Sequence, residues 1–421
     1  MGDNLPTVDL GTNKTAVAID AGYNHTCAIL NDGTVKCWGD GEGGRLGLGD
    51  TSSYNTPQLV DLGTDLTAVS ISAGGMPTFG GSDEGHTCAV LNTGSLKCWG
   101  DNGKGQIGNE GGSAYSPVEV DLDPYDSAGA DLTTLAVTAG GEHTCALLSD
   151  GTMRCWGEGS AGQIGDGNNQ DHSYPPNAEI NTGGGVVSLT AGGLHTCAVI
   201  ADGTMKCWGE GEDGRLGVSS VTDYSTPGIV NSSNSVDGEV EHPVSISAGY
   251  EHTCAVLADH TIKCWGRNNK GQIGDGTTDG YDSSPGLVDL DADDKAVSVT
   301  TGKEHSCAVF LDGTLKCWGS NTNSQLGTET LSSEQRTPVE VVVASVPDPP
   351  TDVAGTFGNE QVTVSWTAPE EDGGASITEY TATTDPGGAT CTTASTSCDV
   401  TGLTNGTAYT FTVVATNAAG D

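Results

Sequence analysis

Apolar positions along this chain come in runs of five to seven residues, rich in β-branched side chains and closed by Gly, Asp, Asn or Pro. That pattern predicts short strands joined by tight turns. Near the start the runs read PTVDL, AVAIDAG, TCAIL and TVKCWG, and the scheme returns as PQLVDL, AVSISAG, TCAVL and SLKCWG. The returning landmark is a cysteine pair: Cys27/Cys37, Cys88/Cys98, Cys145/Cys155, Cys197/Cys207, Cys254/Cys264 and Cys307/Cys317. Successive first members stand 61, 57, 52, 57 and 53 residues apart. Six four-stranded units at such a period predict an all-β propeller, its units stacked radially as blades. Gly-rich tails such as GEGGRLGLGD, GKGQIGNE and AGQIGDG then form loops reaching toward the next blade.

The hairpin inside each unit carries the candidate chemistry. In LNDGT, Asn31-Asp32-Gly33 suits a type I turn ending in a left-handed glycine. That turn sets Leu30 opposite Thr34, Ile29 opposite Val35 and Cys27 opposite Cys37. Directly opposed antiparallel residues have Cα atoms about 4.5–5.5 Å apart, within the span of a disulfide. A bridge closing so short a loop stabilises by about 3 kcal/mol in the chain-entropy picture. Two alternatives stay open: zinc held by His25, Cys27 and Cys37, and reduced structural thiols.

Trp38, Trp99, Trp156, Trp208, Trp265 and Trp318 follow the second cysteines, so they face the other side of the sheet as spacers between blades. His25, His86, His143, His195, His252 and His305 recur two residues before the first cysteines. A catalytic histidine is normally single; six equivalent ones argue for a repeated structural hydrogen bond.

Composition narrows the partners. The 421 residues hold 56 acidic and 15 basic side chains, a formal charge of −41. Such a surface repels phosphate and anionic lipid, which argues against nucleic-acid partners. It attracts basic partners or divalent cations, and it also serves solubility. No apolar run approaches the roughly 18 residues of a spanning helix, so no membrane insertion is expected. MGDNLPTVDL lacks a basic and apolar leader, and Pro6 rules out myristoylation. Fourteen cysteines without an export signal conflict, and a leader upstream of this stretch, with one more hairpin, resolves the conflict.

The stretch AGGEHTCALLSDGTMRCWGEGSAGQIGDG, Ala139 to Gly167, resembles the RCC1 repeat, with its Gly-His-Thr approach, Asp-Gly hairpin, Trp-Gly and Gly-Gln-Leu-Gly type loop. The resemblance implies an RCC1-like β-propeller, most often seven-bladed, over residues 1–345. The paired cysteines resemble exported prokaryotic members. Six hairpins stand against seven Pro-containing strands, at Pro6, Pro57, Pro117, Pro176, Pro227, Pro285 and Pro338. Either the parent ring has seven blades, or six close with Val339 to Val343 beside the N-terminal strand. After the Pro-rich VPDPPTD, residues 346–421 resemble a fibronectin type III β-sandwich that looks truncated. Trp366 would be its buried tryptophan, Tyr409 its tyrosine corner, and Cys391 and Cys398 would bridge within a loop or across adjacent strands.

No Gly-x-Ser-x-Gly, His-Glu-x-x-His, P-loop or EF-hand loop occurs, so no catalytic residue or cofactor is expected. Weak calcium binding at Asp121, Asp123 and Asp126, or at Asp289, Asp291 and Asp293, competes with plain solvation of acidic loops. Arg45, Gln106, Gln163, Arg215, Gln272 and Gln325 share one loop position and read as ties to the next blade. The insertions Gly74 to Gly85 and Asn231 to Pro243 break the period and decorate one face. The expected function is a non-catalytic exported or cell-surface scaffold presenting loops to a protein or glycan. The alternatives are a guanine-nucleotide exchange regulator, by family analogy, and a polysaccharide-acting enzyme.

Overall fold

The computed structural model describes residues 8–77, 84–122, 132–176, 180–231, 242–328, 332–341, 346–374, 376–417 and 420. The chain divides into two compact units, the larger holding residues 8–326 and 332–339, the smaller taking in the chain from Glu340 onward.

The first blade consists of β1 (Ala16–Ala21), β2 (His25–Leu30), β3 (Val35–Gly39) and β4 (Tyr54–Val60), hydrogen-bonded in that order. Four further blades repeat it, and the third shows three strands, Thr134–Ala139, His143–Leu148 and Met153–Gly157, with a lone bridge from Gly157 to His172. First strands of consecutive blades adjoin, so these strands lie innermost and the Pro-containing strands lie at the rim.

The hairpin register is the one the turn dictates: Ile29 pairs with Val35 and Cys27 with Cys37, and Gly33 takes φ +77°. The same register sets Cys88 opposite Cys98, Cys145 opposite Cys155, Cys197 opposite Cys207, Cys254 opposite Cys264 and Cys307 opposite Cys317. All six pairs are joined as disulfides: Cys27–Cys37, Cys88–Cys98, Cys145–Cys155, Cys197–Cys207, Cys254–Cys264 and Cys307–Cys317. Their Cα atoms stand 4.0–4.1 Å apart, closer than the spacing expected from the sequence. The reason lies in the rung they occupy. The Leu30 N–H bonds the Thr34 carbonyl at 2.9 Å, and hydrogen-bonded pairs alternate from there. Cys27 and Cys37 therefore fall on a non-hydrogen-bonded rung, the narrower of the two kinds. No cysteine among the described residues is free, so neither the zinc nor the thiol alternative survives for Cys37, Cys98, Cys155, Cys207, Cys264, Cys317 or their partners.

Grouping the strands by their order in sequence misplaces the blade boundary. The structure puts five of the seven proline positions in an outer strand that follows its own hairpin, Pro57, Pro117, Pro227, Pro285 and Pro338, while Pro176 of the third blade lies in no strand. Proline has no N–H to give a further neighbour, and an outermost strand has none to serve. Val339 and Glu340 end the sixth blade's own outer strand, Glu334–Glu340. Pro6 lies outside the described residues, and so do Val342 and Val343.

The core lies between blades. Cys27, Ile29, Val35 and Cys37 of the first blade pack with Ile71, Ala89, Leu91 and Trp99 of the second, and four equivalent layers follow. In those layers Cys98 meets Trp156, Cys155 meets Trp208, Cys207 meets Trp265 and Cys264 meets Trp318. The disulfide face of each blade therefore packs on the tryptophan face of the next. Cys317, in the sixth and last hairpin, has no such layer beyond it among the described residues, though it is only 3% exposed. A tryptophan withdrawn from water buries about 200 Å², on the order of 5 kcal/mol of transfer free energy.

Five junctions share a further bond, from a side chain on one inner strand to a backbone N–H on the next. Asp20 takes the N–H of Ala73, Ser72 that of Ala139, Thr138 that of Ala191, Thr190 that of Ala248 and Ser247 that of Thr301, all at 2.9–3.1 Å. The end blades are left more open. Ile19 is 63% exposed where its counterpart Ile71 is 9%, and Val309 is 39% exposed where Ile29 is 2%.

The smaller unit is a sandwich of two three-stranded sheets. One holds Thr351–Phe357, Gln361–Thr367 and Ser397–Thr401; the other holds Thr390–Thr393, Glu379–Asp385 and Thr410–Thr416. Trp366 is buried between them with its ring 5.4 Å from that of Tyr380. The Tyr409 hydroxyl accepts the Thr404 N–H at 3.0 Å, the bond expected of a tyrosine corner. Cys391 and Cys398 are bonded and link strands of different sheets, a staple across the sandwich.

Candidate functional site

The turn between first and second strands and the loop between third and fourth emerge at the same end of each blade. That loop face gathers most of the chain's polar chemistry, and its deepest layer is structural. His25 Nε2 lies 2.8 Å from Thr87 Oγ1 of the next blade, and Thr87 donates that hydroxyl to the Arg45 carbonyl at 2.9 Å. Trp99 Nε1 donates to the same carbonyl at 3.0 Å. A hydroxyl whose proton is already given must accept, so the histidine carries its proton on Nε2.

The set recurs. His86, His143 and His195 meet Thr144, Thr196 and Thr253, and His252 meets Ser306, at 2.7–2.9 Å. The carbonyls of Gln106, Gln163, Arg215 and Gln272 take those hydroxyl protons. They also take the indole protons of Trp156, Trp208, Trp265 and Trp318 in the same order. The loop position expected to tie blades together does so through its backbone oxygen. A side chain on Gly140 or Gly192 would stand 2.3–2.4 Å from the following histidine ring, so these positions exclude any Cβ.

Burial holds His25, His86, His143 and His252 down to about 3, and His195 well below its ordinary value. All are neutral at physiological pH. Each of the five Nδ1 atoms is buried without a partner. The end blades depart again, since His305 and Trp38 are only half-buried. The partner residues Thr87, Thr144, Thr196, Thr253 and Ser306 were missed in sequence, although Thr or Ser follows the histidine in every unit.

Two further repeated positions on this face vary in charge from blade to blade. Asp40, Asp101, Glu158, Glu210, Arg267 and Ser320 follow the Trp-Gly pairs, while Asn24, Gly85, Glu142, Leu194, Glu251 and Glu304 precede the repeated histidines. Arg45, its side chain fully buried, pairs with Asp40 at 3.3 Å and with Asp101 of the next blade at 3.7 Å. Arg215 pairs with Glu210 at 2.6 Å, and Arg267 pairs with Glu251. Between the second and third blades Glu142 meets Glu84 and Glu158. Burial first, and then those two carboxyls, push it up to about 9.

The calcium expectation finds no support in the placed residues. Asp123 and Asp126 lie outside the described residues, and so does most of the insertion after Asn231. In the other loop Lys316 Nζ sits 3.3 Å from Asp291 and 2.7 Å from Asp294, so the chain's own ammonium answers that charge. No group of three or more His, Cys, Asp or Glu among the described residues is placed to hold a metal. Of the insertion at Gly74 to Gly85, Met76 and Glu84 form a β-bridge and residues 78–83 lie outside the described set.

Comparison with known proteins fits this geometry. The model of the RCC1-like domain matches residues 80–364, and RCC1 repeat models match residues 16–45 and 32–80. The fibronectin type III model matches residues 348–421. The ultraviolet-B receptor UVR8 of Arabidopsis thaliana is 32% identical over 315 residues, which cover 74% of this chain and 66% of that protein. The E3 ubiquitin-protein ligase HERC2 of Homo sapiens is 30% identical over 296 residues, 69% of this chain and 6% of that protein. The chain thus spans just under two thirds of the first and a small part of the second. Among solved structures, yeast RCC1 (Prp20) bound to Kap60 superposes with a TM-score of 0.65 at 19% identity, covering 85% of this chain and 81% of that one. Human WBSCR16 gives 0.66 at 22% identity, covering 82% and 85%. At such identities these two show the fold alone.

Proposed function

The chain belongs to the RCC1-like family and carries a fibronectin type III domain after its propeller, and on that premise we propose that it is a non-catalytic, exported or cell-surface scaffold that binds a protein partner. The observation that carries this reading is the fate of the repeated polar residues. The histidines, the hydroxyls that follow them and the indoles that would be candidate chemistry are engaged at five blade junctions. What differs from blade to blade is the charged outer layer of the loop face, and difference is what recognition needs. That yeast RCC1 has been solved bound to Kap60 supports a protein as the kind of partner.

Export is supported by the seven disulfides, which persist in oxidising compartments and are rare in the cytosol. Two experiments test the reading. Acid-quenched alkylation of the protein in its native cells should label none of the 14 cysteines; a fully labelled pool overturns the export. Binding measured against protein and glycan panels should give protein ligands whose affinity falls when loop-face charges are reversed. Glycan turnover, or acceleration of nucleotide exchange on a GTPase, overturns the non-catalytic reading.

A further inference from the structure

The inner strands share an irregularity at their start. In all six the register against the second strand skips one residue: Val17, Val69, Leu135, Val187, Val244 and Val297 in chain order. A bulge of this kind frees a side chain from the ladder and re-aims it. All six are exposed, by 40–65%, and the four inside the array, clear of the open end blades, lie at 57–62%. Neighbours on the same strands fix the direction. Ile71 packs in the layer shared with the preceding blade, and Ser72 bonds the inner strand of the following one. Both faces of the strand are thus covered, one edge is paired with the second strand, and the edge left over borders the axis. Six aliphatic side chains therefore form a collar around the axis at one end. It is the hairpin end: in every blade the first turn residue, as Asn31 does to Thr15, donates its N–H to the carbonyl just before the inner strand, at 2.8–2.9 Å.

Water-facing positions with no core to serve tolerate polar residues, and the next residue along is Ser70, Ser188, Ser245 or Ser298 in four of the six strands. The collar position is aliphatic in all six. A contiguous exposed apolar patch rimmed by polar groups marks a surface that meets a partner. The rim here is acidic. One strand further out, the turn residues Asp150, Asp202, Asp259 and Asp312 are exposed, each with one oxygen bonded by the threonine two positions on. Asp32 is answered by Lys14, and Lys295, also exposed, stands two residues before Val297. A second copy would set these carboxylates against their own kind, and an anionic lipid surface would be repelled. Basic side chains complement them.

We propose that the collar is a second docking surface, at the opposite end from the loop face, for a protein segment that projects one or two bulky apolar residues between lysine or arginine side chains. The apolar residues enter the ring of Val69, Leu135, Val187 and Val244, and the cations meet the turn carboxylates around it. Burial of the aliphatic ring supplies the affinity, and the charges set which segments approach. The inference rests on the protein-binding reading above for the class of ligand, and it adds a place and a recognition chemistry that the loop face does not share.

The test uses the full chain and a fluorescein-labelled peptide carrying a phenylalanine and a leucine between two pairs of lysines, followed by anisotropy at physiological salt. A control peptide has two serines at the apolar places and keeps the charge. The triple variant Val69→Thr, Val187→Thr, Val244→Thr stays β-branched at exposed positions, so its melting temperature should match wild type. It should bind the apolar peptide at least about tenfold more weakly, as loss of central anchor contacts does, while the serine peptide should not tell the two chains apart. Asp202→Asn with Asp259→Asn keeps the oxygens that Thr204 and Thr261 bond, and should weaken the apolar peptide by removing charge alone. Equal affinity of wild type and the threonine variant would overturn the proposal, and so would a lowered melting temperature, which would make the collar part of the core. Valine-dependent binding to phosphatidylcholine vesicles, or valine-dependent self-association in sedimentation, in place of peptide binding would overturn it too. Peptide affinity that falls with Glu304→Lys on the loop face and ignores the threonines would overturn the collar and leave the scaffold reading standing. A chain that binds neither the peptide nor any protein of the panels would remove both.

Discussion

Acid should loosen this protein earlier than its carboxylates can explain, and the buried histidines set the point at which it does. Four of them sit at about 3 in the folded chain against an ordinary value of 6.5. Their folded affinity for protons is depressed, so their contribution is whole above pH 6.5 and is lost as pH falls below it toward 3. Between pH 7 and pH 5 each such group costs about 2 kcal/mol, because the unfolded imidazole takes a proton that the folded one refuses. Four together cost about 8 kcal/mol, comparable with the whole stability of an ordinary domain. Carboxyls held high in the fold pull the other way: Glu142, raised to about 9, keeps its proton when folded and favours the folded state as pH falls. The wild-type curve therefore mixes signs, and a difference between variants isolates one group.

His252, hydrogen-bonded to Ser306 at 2.8 Å, is the group to change. His252→Gln keeps a donor of similar reach and removes the titration. Denaturant unfolding of the oxidised protein at pH 7 and pH 5, at fixed ionic strength, gives the loss for each chain. The substituted protein should lose about 2 kcal/mol less than wild type over that interval. Equal losses would mean that His252 is not held neutral by burial, and the account of the junctions would fall with it.

Other expectations follow from the same contacts. Thr196→Val removes the hydroxyl between His143 and the Gln163 carbonyl and should cost about 1–3 kcal/mol in denaturant unfolding, whereas Thr26→Val, at the half-buried counterpart in the first blade, should cost clearly less. Trp208→Phe forfeits an indole bond to Gln163 at 3.0 Å and should destabilise more than Trp366→Phe, because the Trp366 indole N–H has no acceptor to lose. Mild reduction followed by alkylation and mass spectrometry should label Cys391, Cys398 and Cys307 first, since these sulfurs belong to half-buried residues while the pairs of the first five blades are wholly buried.

The propeller was legible because its signals are local and repeated. The Asn31-Asp32-Gly33 turn alone fixes which residues oppose, and Cys27 therefore meets Cys37 as arithmetic requires. The blade boundary was not legible, because nothing within TPQLV says whether it pairs with the hairpin before it or the strand after it. That choice belongs to the proline at a sheet edge, a fact about neighbours in space. The acidic junction escaped for a similar reason. Glu84, Glu142 and Glu158 are scattered over 75 positions (158 − 84 + 1), and they converge only because consecutive blades lay their loops side by side.

The uniform coupling between blades has an evolutionary corollary. Each junction asks the same of its two sides, a histidine and a loop carbonyl from one and a hydroxyl and an indole from the other. Unequal recombination that deletes or duplicates one whole period would rejoin chemically matching edges, wherever along the array it struck. A crossover at half a period would strand a donor or break a sulfur pair and would be purged. Lineages carrying such an array are thus free to change its length in integral steps, while its loop residues drift one blade at a time.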